Sequence, residues 1–115
     1  MRVELLFWAG CPSYPGALSE LRAALVEQGL DPGSVIVREV TSEAEARAQS
    51  FVGSPTIRID GRDVQPAPGE PFGLVCRVYR RRDGRYSPTP DPADISDALR
   101  VAAQPKRRVR EGNVA

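Results

Sequence analysis

Apolar and polar residues follow one another with different periods along this chain, and each change of period marks a predicted element. The first apolar run, residues 3–8, has Val3 and Leu5 on one face and Leu6 and Trp8 on the other. Two apolar faces are typical of a central strand that is covered on both sides. The pattern predicts strands at 3–8, 35–40, 56–60 and 74–79, which alternate with helical periodicity in the order β-α-β-α-β-β-α.

A capping box locates the second helix, and the spacing of apolar residues locates the third. Ser42 and Glu45 fit a capping box, and Gly53 is the predicted end of the second helix. Its apolar side is thin, so we expect a short and partly exposed helix. That side consists of Ala44, Ala48, Phe51 and Val52. The third helix is predicted over residues 94–103. Its inward residues are expected to be Ile95, Leu99 and either Val101 or Ala102.

The length of 115 residues fits one domain with a single core, which we assign to residues 1–103. Residues 104–115 form a basic tail without an apolar stripe, and we expect this tail to be disordered. Its cations are Lys106, Arg107, Arg108 and Arg110. The net charge of +1 gives no reason to expect a nucleic-acid or membrane partner.

Missing sequence features exclude several kinds of chemistry. The sequence shows neither an apolar leader nor a run of membrane-spanning length, so we expect a cytoplasmic protein with reduced cysteines. With no histidine, the chain has no Cys-His or Ser-His pair and no histidine-ligated metal. Two cysteines do not complete a four-thiolate zinc site. We therefore expect no metal site, and any chemistry rests on cysteine, carboxylates, arginine and backbone amides.

Cys11 stands where the first predicted strand turns into the first helix. That helix is expected to begin near Tyr14, with Ser13 as N-cap and Pro15 in the first turn, where a missing N–H costs little. Unpaired N–H groups and the positive end of the helix dipole favour a thiolate there. Because the thiolate is the reactive form of cysteine, the position predicts a nucleophilic sulfur that needs no neighbouring base.

Two short motifs resemble the thioredoxin-like superfamily. Gly10-Cys11-Pro12 resembles the Cys-Pro start of glutaredoxin-type motifs. Residues 53–57, Gly-Ser-Pro-Thr-Ile, resemble the loop in which that superfamily places a cis-proline beside its active-site cysteine. The chain looks similar to small bacterial members with a Gly-Cys-Pro turn and a later Cys-Arg-x-Tyr. The resemblance spans residues 3–103 and implies an α/β thioredoxin-like fold, with a central four-stranded mixed sheet and helices on both faces.

The resemblance also implies roles for individual residues. Cys11 would attack a disulfide, Pro12 would hold the turn, and Pro55 with Thr56 would dock the backbone of an extended substrate. A cis bond before Pro55 is plausible because proline lowers the cost of the cis form to roughly 0.5–1 kcal/mol. Trp8 either lines a substrate groove or joins the core, and Tyr14 is expected to be exposed. The candidate substrate-binding residues are Trp8, Pro12, Ser13, Tyr14, Ser54, Pro55 and Thr56.

The chain departs from the dithiol members, which carry Cys-x-x-Cys, because Tyr14 occupies the fourth position. Two redox hypotheses remain open. In one, Cys11 is a monothiol, glutathione or mycothiol resolves its adduct, and Arg58 or Arg77 binds a carboxylate of that thiol. In the other, Cys76 is the resolving thiol, which requires Cα atoms within about 7 Å. The apolar neighbours of Cys76 favour a third role for it, buried packing.

Two further hypotheses involve no redox turnover. In the first, the domain is a binding or adaptor module whose Cys11 has lost its activity, since a fold does not imply a function. In the second, the thiols bind a soft metal or an organomercurial. The expected partner is a thiol, a disulfide or a protein, and the chain is expected to be a monomer or a weak homodimer.

Overall fold

The computed structural model describes residues 1–104. Four strands form a mixed sheet in the order β2-β1-β3-β4. These strands are β1 (Val3–Phe7), β2 (Ile36–Glu39), β3 (Thr56–Ile59) and β4 (Arg62–Asp63). Strand β1 pairs in parallel with β2 and antiparallel with β3. Because a parallel pair needs a crossover connection, helix α1 (Tyr14–Glu27) lies between β1 and β2 in the chain.

Helices cover both faces of this sheet. Helices α1 and α3 (Pro92–Ala103) pack on one face. Their shared core contains Val3, Leu5, Ala17, Leu21, Ala24, Leu25, Ile57, Ile59, Ile95 and Leu99. Helix α2 (Glu43–Ala48) packs on the other face, with Leu6, Val40, Ala46 and Phe51. The predicted class, a mixed α/β fold with a four-stranded mixed sheet and helices on both faces, is therefore confirmed, as are the two apolar faces of β1.

The fourth strand is not the predicted segment. Residues 74–79 were expected to pair with β3, but Arg62–Asp63 occupies that edge. The reason is the turn between the strands, in which Asp60 and Gly61 both adopt positive φ, at 51° and 81°. Two such residues reverse the chain within a two-residue hairpin, so the residues immediately after the turn pair with β3. Tyr79–Arg80 instead forms a separate hairpin with Tyr86–Ser87, named β5 and β6.

The helices differ from the prediction in detail. Helix α2 is short, as expected, but Ala44 and Ala48 are exposed and Ala46 is its buried residue. The helix ends at Ala48 and not at the predicted Gly53, so Phe51 and Val52 lie in a loop and do not continue the helical spacing. Asp91 caps α3 through a side-chain bond to the N–H of Ala93. Of the two alternatives for the last inward residue of α3, Ala102 packs against the core and Val101 is exposed.

The predicted disordered tail lies, except for its first residue, outside the described residues. Within residues 1–104, helices are too short or too polar to cross a membrane.

Candidate active site

The turn after β1 buries Cys11. The N–H of Cys11 donates to the carbonyl of Trp8 at 3.0 Å and closes the turn. The indole ring of Trp8 folds back over Gly10, where an added Cβ would lie 2.4 Å from the ring. Only glycine leaves room for this packing. As a result, Cys11 is just 2% exposed although it lies in a loop between two elements.

Ser13 occupies the N-cap position of α1, as predicted, but its side chain does not cap the helix. Its hydroxyl lies 3.3 Å from Sγ of Cys11. The hydroxyl donates to this sulfur when Cys11 is a thiolate, since a thiolate has no proton to give. Ser13 is therefore a partner of the cysteine and not of the helix N-terminus.

The loop before β3 forms the second side of the site. The Ser54–Pro55 peptide bond is cis, which agrees with the expectation from the sequence. The carbonyl oxygen of Ser54 accepts a hydrogen bond from Cys11 Sγ at 3.5 Å. Thr56 is buried, and its hydroxyl donates to the carbonyl of Gly53 at 2.6 Å. Thr56 therefore closes the loop and does not face solvent, where a substrate would meet it.

Cys76 is held at this same loop by backbone pairing. The N–H of Ser54 donates to the carbonyl of Val75, and the N–H of Arg77 donates to the carbonyl of Ser54, both at 2.8 Å. These two bonds flank Cys76 and place it opposite Ser54 in an isolated parallel bridge. Gly53 permits the approach, because a Cβ there would lie 2.9 Å from the side chain of Arg77. The result is that both cysteines lie beside Ser54.

The expected burial of Cys76 is wrong: the residue is exposed. The prediction assumed a strand in a covered sheet, but this segment forms one bridge at the rim of the fold. Its apolar neighbours are therefore uncovered as well, with Val75 49% and Val78 69% exposed. Both cysteines are free thiols in this structure.

The two thiols interact, and their pKa values move in opposite directions. Burial acts to raise the pKa of Cys11, but hydrogen bonds from the Cys76 thiol and the Ser13 hydroxyl outweigh it and lower that pKa below the ordinary value. The hydrogen bond to Cys11 raises the pKa of Cys76, assisted by partial burial and by the nearby negative charge of Cys11. When the pair loses its first proton, the negative charge therefore lies on Cys11 and the remaining proton on Cys76.

A buried polar network anchors the chain on the far side of Cys76. Arg77 forms an ion pair with Asp63 at 2.6 Å and donates to the carbonyl of Gln65 at 2.6 Å. Its guanidinium also lies 4.3 Å from the ring centre of Tyr79. The hydroxyl of Tyr79 donates to the carbonyl of Pro55. This network joins the segment that carries Cys76 to the loop beside Cys11.

The network includes residues that the sequence analysis missed. Asp63 and Tyr79 are not among the site residues predicted from the sequence, although Tyr79 is the last residue of the Cys-Arg-x-Tyr string. Arg77 and Arg58 were assigned to a carboxylate of a small thiol, but both guanidinium groups have partners within the chain. Arg58 donates to the carbonyls of Gln49 and Ser50. The available signal was the position of Arg77 inside an apolar segment. A basic residue in such a segment is expected to have a partner within the chain.

The remaining candidates lie around the turn. Trp8 is partly buried and packs against the core under α2. Tyr14 was expected to be exposed, but it is half-buried because its ring stacks on Phe7, with centroids 3.9 Å apart. Pro12 is exposed between Cys11 and the start of α1.

An open cavity of about 400 Å³ adjoins Cys76. Within residues 1–104, no group of three or more histidine, cysteine or acidic side chains is arranged to hold a metal ion. The two cysteines are thus the groups that could hold a soft ion or form a redox pair. Comparisons with known protein families, with curated proteins and with solved structures found no match for this chain.

Proposed function

We propose that this protein is a thiol–disulfide oxidoreductase of thioredoxin-like fold whose redox centre is the Cys11–Cys76 pair. The observation that carries the proposal is that the two cysteines, which stand far apart in the sequence, meet at Ser54. The Ser54 carbonyl accepts a hydrogen bond from Cys11 Sγ, and the Ser54 backbone pairs with the residues on both sides of Cys76. A structural cysteine needs no second thiol and no stabilised thiolate, whereas a redox pair needs both.

The proposed chemistry exchanges two thiols for one disulfide. Oxidation of the pair joins Cys11 and Cys76 and passes two electrons to a substrate disulfide, which leaves as two thiols. The reverse direction reduces the pair at the expense of two substrate thiols. A thiol of the glutathione or mycothiol class is the proposed electron donor, and the cytoplasm is the proposed compartment, where such thiols are abundant. Cys76 takes the resolving position that Cys-x-x-Cys motifs supply locally.

The fold supports this proposal through the position of the pair. The strand β1, the turn at Cys11, helix α1 and the loop with the cis Ser54–Pro55 bond have the order and the contacts that the resemblance implies. Candidate residues from two distant stretches, 11–13 and 54–56, come together as expected. The monothiol hypothesis has less support, because a second cysteine, Cys76, is held at the same loop residue that accepts a hydrogen bond from Cys11.

The test is mass-resolved alkylation of both cysteines in redox buffers of graded potential. The proposal predicts that both thiols disappear together and that the unalkylated protein has lost two hydrogen masses. The Cys76→Ser variant is the matched control, because its Cys11 has no partner within the chain and is expected to form only mixed disulfides. Adducts on Cys11 alone in the wild type would favour the monothiol hypothesis. Two unresponsive thiols would favour a binding or adaptor module.

A second candidate function, binding of a soft metal ion, is favoured by the same pair of facing thiols. Thiolates select soft ions such as Cu(I) or Hg(II), and such ions accept two sulfur ligands. This hypothesis predicts one ion bound for each chain in the presence of competing small thiols, with loss of binding in either single Cys→Ser variant. Binding that survives in both single variants would exclude the pair as the site.

A further inference from the structure

The two sulfurs of the pair differ in access. Cys11 is 2% exposed, and its sulfur has the Ser13 hydroxyl at 3.3 Å and the Ser54 carbonyl at 3.5 Å. Cys76 is exposed and lines the cavity of about 400 Å³. A thiolate attacks a disulfide in line, from the side opposite to the sulfur that leaves. For attack on Cys76 that side is solvent, and for attack on Cys11 it is the protein interior.

We propose that Cys76, and not Cys11, is the sulfur that forms the mixed disulfide with substrate, and that this substrate is a cysteine within an apolar stretch of polypeptide. The proposal rests on the function proposed above and assigns the roles within that pair. It reverses the roles expected from the sequence, in which Cys11 attacks and Cys76 resolves.

An oxidised pair oxidises two substrate thiols in two steps. A substrate thiolate forms a bond to Sγ of Cys76, the Cys11–Cys76 bond breaks, and the electron pair leaves on Cys11 as a thiolate. A second substrate thiol then attacks the substrate sulfur of the mixed disulfide. This step forms the substrate disulfide and releases Cys76, which takes the proton. Two thiols are oxidised and the pair is reduced.

The surroundings of Cys11 suit a leaving and resolving group. The lower the pKa of the leaving thiol, the faster it leaves, and the Ser13 hydroxyl stabilises the thiolate of Cys11. In the reducing direction, the Cys11 thiolate takes the proton of Cys76 while Cys76 attacks the substrate disulfide, and the first substrate sulfur leaves as a thiolate. That thiolate takes the proton from Cys11 and departs as a thiol. The Cys11 thiolate then attacks Sγ of Cys76, which forms the Cys11–Cys76 disulfide and frees the second substrate sulfur as a thiolate.

The lining of the cavity defines the class of substrate. Six of its ten lining residues have apolar side chains, while polar atoms make up the larger part of its exposed surface. The six are Val52, Pro66, Ala67, Pro71, Val75 and Val78. Two charged residues line the cavity. Arg77 forms an ion pair with Asp63, whereas Glu70 has no ion-pair partner among residues 1–104. An anionic thiol such as glutathione therefore meets an unbalanced negative charge, so it is the slower of the two reactants although it remains the proposed electron donor. Apolar groups beside a substrate cysteine meet the apolar side chains of this lining. The exposed Val75 and Val78 extend this surface beyond the cavity.

The test starts from wild-type protein oxidised to the intramolecular disulfide and verified by mass. It is mixed with a reduced peptide, acetyl-Val-Cys-Val-amide, quenched with acid at short times, alkylated and digested. We expect the peptide adduct on Cys76 and the alkyl group on Cys11, in about tenfold excess over the reverse arrangement. Glutathione, compared at equal thiolate concentration, is expected to react about tenfold more slowly. Adduct mainly on Cys11 would overturn the role assignment, and equal rates would overturn the substrate class.

A second measurement uses the reduced single variants with the disulfide of the same peptide. Cys11→Ser is expected to accumulate a stable adduct on Cys76, because no second thiol resolves it. Cys76→Ser retains a buried Cys11 and is expected to react about tenfold more slowly; faster reaction of Cys76→Ser would overturn the role assignment. Circular dichroism verifies that both variants are folded. If the wild type never forms the intramolecular disulfide, the proposed function itself is wrong. A wild type that forms the disulfide but gives the adduct on Cys11 overturns only the role assignment.

Discussion

Ser13 shows how one side chain at a helix start can serve a neighbouring sulfur. It stands at the N-cap of α1 but makes no side-chain cap bond, and its hydroxyl lies 3.3 Å from Sγ of Cys11. Serine at an N-cap normally contributes to the helix, with a cost of about 1 kcal/mol when it is replaced by alanine. Here we expect replacement to change the chemistry of Cys11 more than the stability of the helix.

The first prediction concerns Ser13→Ala in the Cys76→Ser background, where one thiol titrates. Removal of the hydroxyl takes a hydrogen bond from the thiolate, so the pKa of Cys11 is expected to rise. Because only the thiolate reacts, loss of reactivity on acidification should then begin at a higher pH. The measurement is the ultraviolet absorbance of the thiolate against pH. Ser19→Ala, an exposed position on the same helix, is the control. An unchanged titration midpoint would contradict the role of Ser13.

The second prediction concerns Gly10→Ala. Its Cβ would lie 2.4 Å from the ring of Trp8, so the indole must move, and overpacking of this kind costs about 1–3 kcal/mol. Urea denaturation measures the cost, and the fluorescence of Trp8 reports the movement. Gly16→Ala is the matched control because no heavy atom lies near its added Cβ, and within α1 alanine is favoured by about 0.5–1 kcal/mol. Equal effects of the two substitutions would show that Trp8 does not pack over Gly10.

At the scale of an element, residues 75–79 act as a strap that carries Cys76 to the loop beside Cys11. Backbone bonds to Ser54 hold one end, and the hydroxyl of Tyr79 holds the other by its bond to Pro55. Burial raises the pKa of the Tyr79 hydroxyl above its usual range, so this group remains a donor throughout the pH range in which proteins are studied. The strap therefore stays attached when the thiols titrate.

The third prediction concerns Tyr79→Phe. The change leaves the buried carbonyl of Pro55 without its donor, which costs about 1–3 kcal/mol in the free energy of unfolding. It should also slow formation of the Cys11–Cys76 disulfide, because the strap loses one attachment. Tyr86→Phe is the control, since Tyr86 is 70% exposed and is expected to change neither quantity. Both quantities are followed by urea denaturation and by timed alkylation. A wild-type rate of disulfide formation in Tyr79→Phe would show that this hydrogen bond does not position Cys76.

At the scale of the whole molecule, the proposed disulfide would join the turn after β1 to the segment that carries Cys76. It would thereby close a large loop of the chain. Cys11 follows β1 in the centre of the sheet, and Cys76 lies in a segment that the main sheet does not include. A cross-link between them restricts the unfolded chain over most of the domain. Oxidation should thus stabilise the whole fold and not one element alone.

The fourth prediction is that oxidised protein is more stable than reduced protein by about 4 kcal/mol, the chain-entropy value for a disulfide that closes a loop of about 65 residues. The measurement is urea denaturation of both forms, with the redox state verified by mass before and after. Cys76→Ser, treated with the same oxidant, should show no such gain. A verified intramolecular disulfide without added stability would mean that the pair must distort the fold in order to close.

Particular residues show how far the sequence could predict this fold and site. Val3, Leu5 and Leu6 alternate between two apolar faces, so the covered central strand was readable from periodicity alone. The capping box of α2 was also predictable, because it depends on residue types only three positions apart. Ser42 accepts from the N–H of Glu45 as predicted. The neighbours of Cys76 misled the prediction, because an apolar run without flanking context does not distinguish a buried strand from an uncovered strap.

The sequence by itself determined the order of the elements from β1 to β3, the two faces of β1, and the position of Cys11 between a strand and a helix. These features depend on interactions between residues a few positions apart, such as helical periods, caps and turns. Only the tertiary structure decided that Cys76 lies at the same loop as Cys11, that Arg77 is neutralised by Asp63, and that Cys76 is the exposed cysteine. Such contacts join distant parts of the chain through an irregular connection without periodicity, so they follow from the packing of the whole molecule.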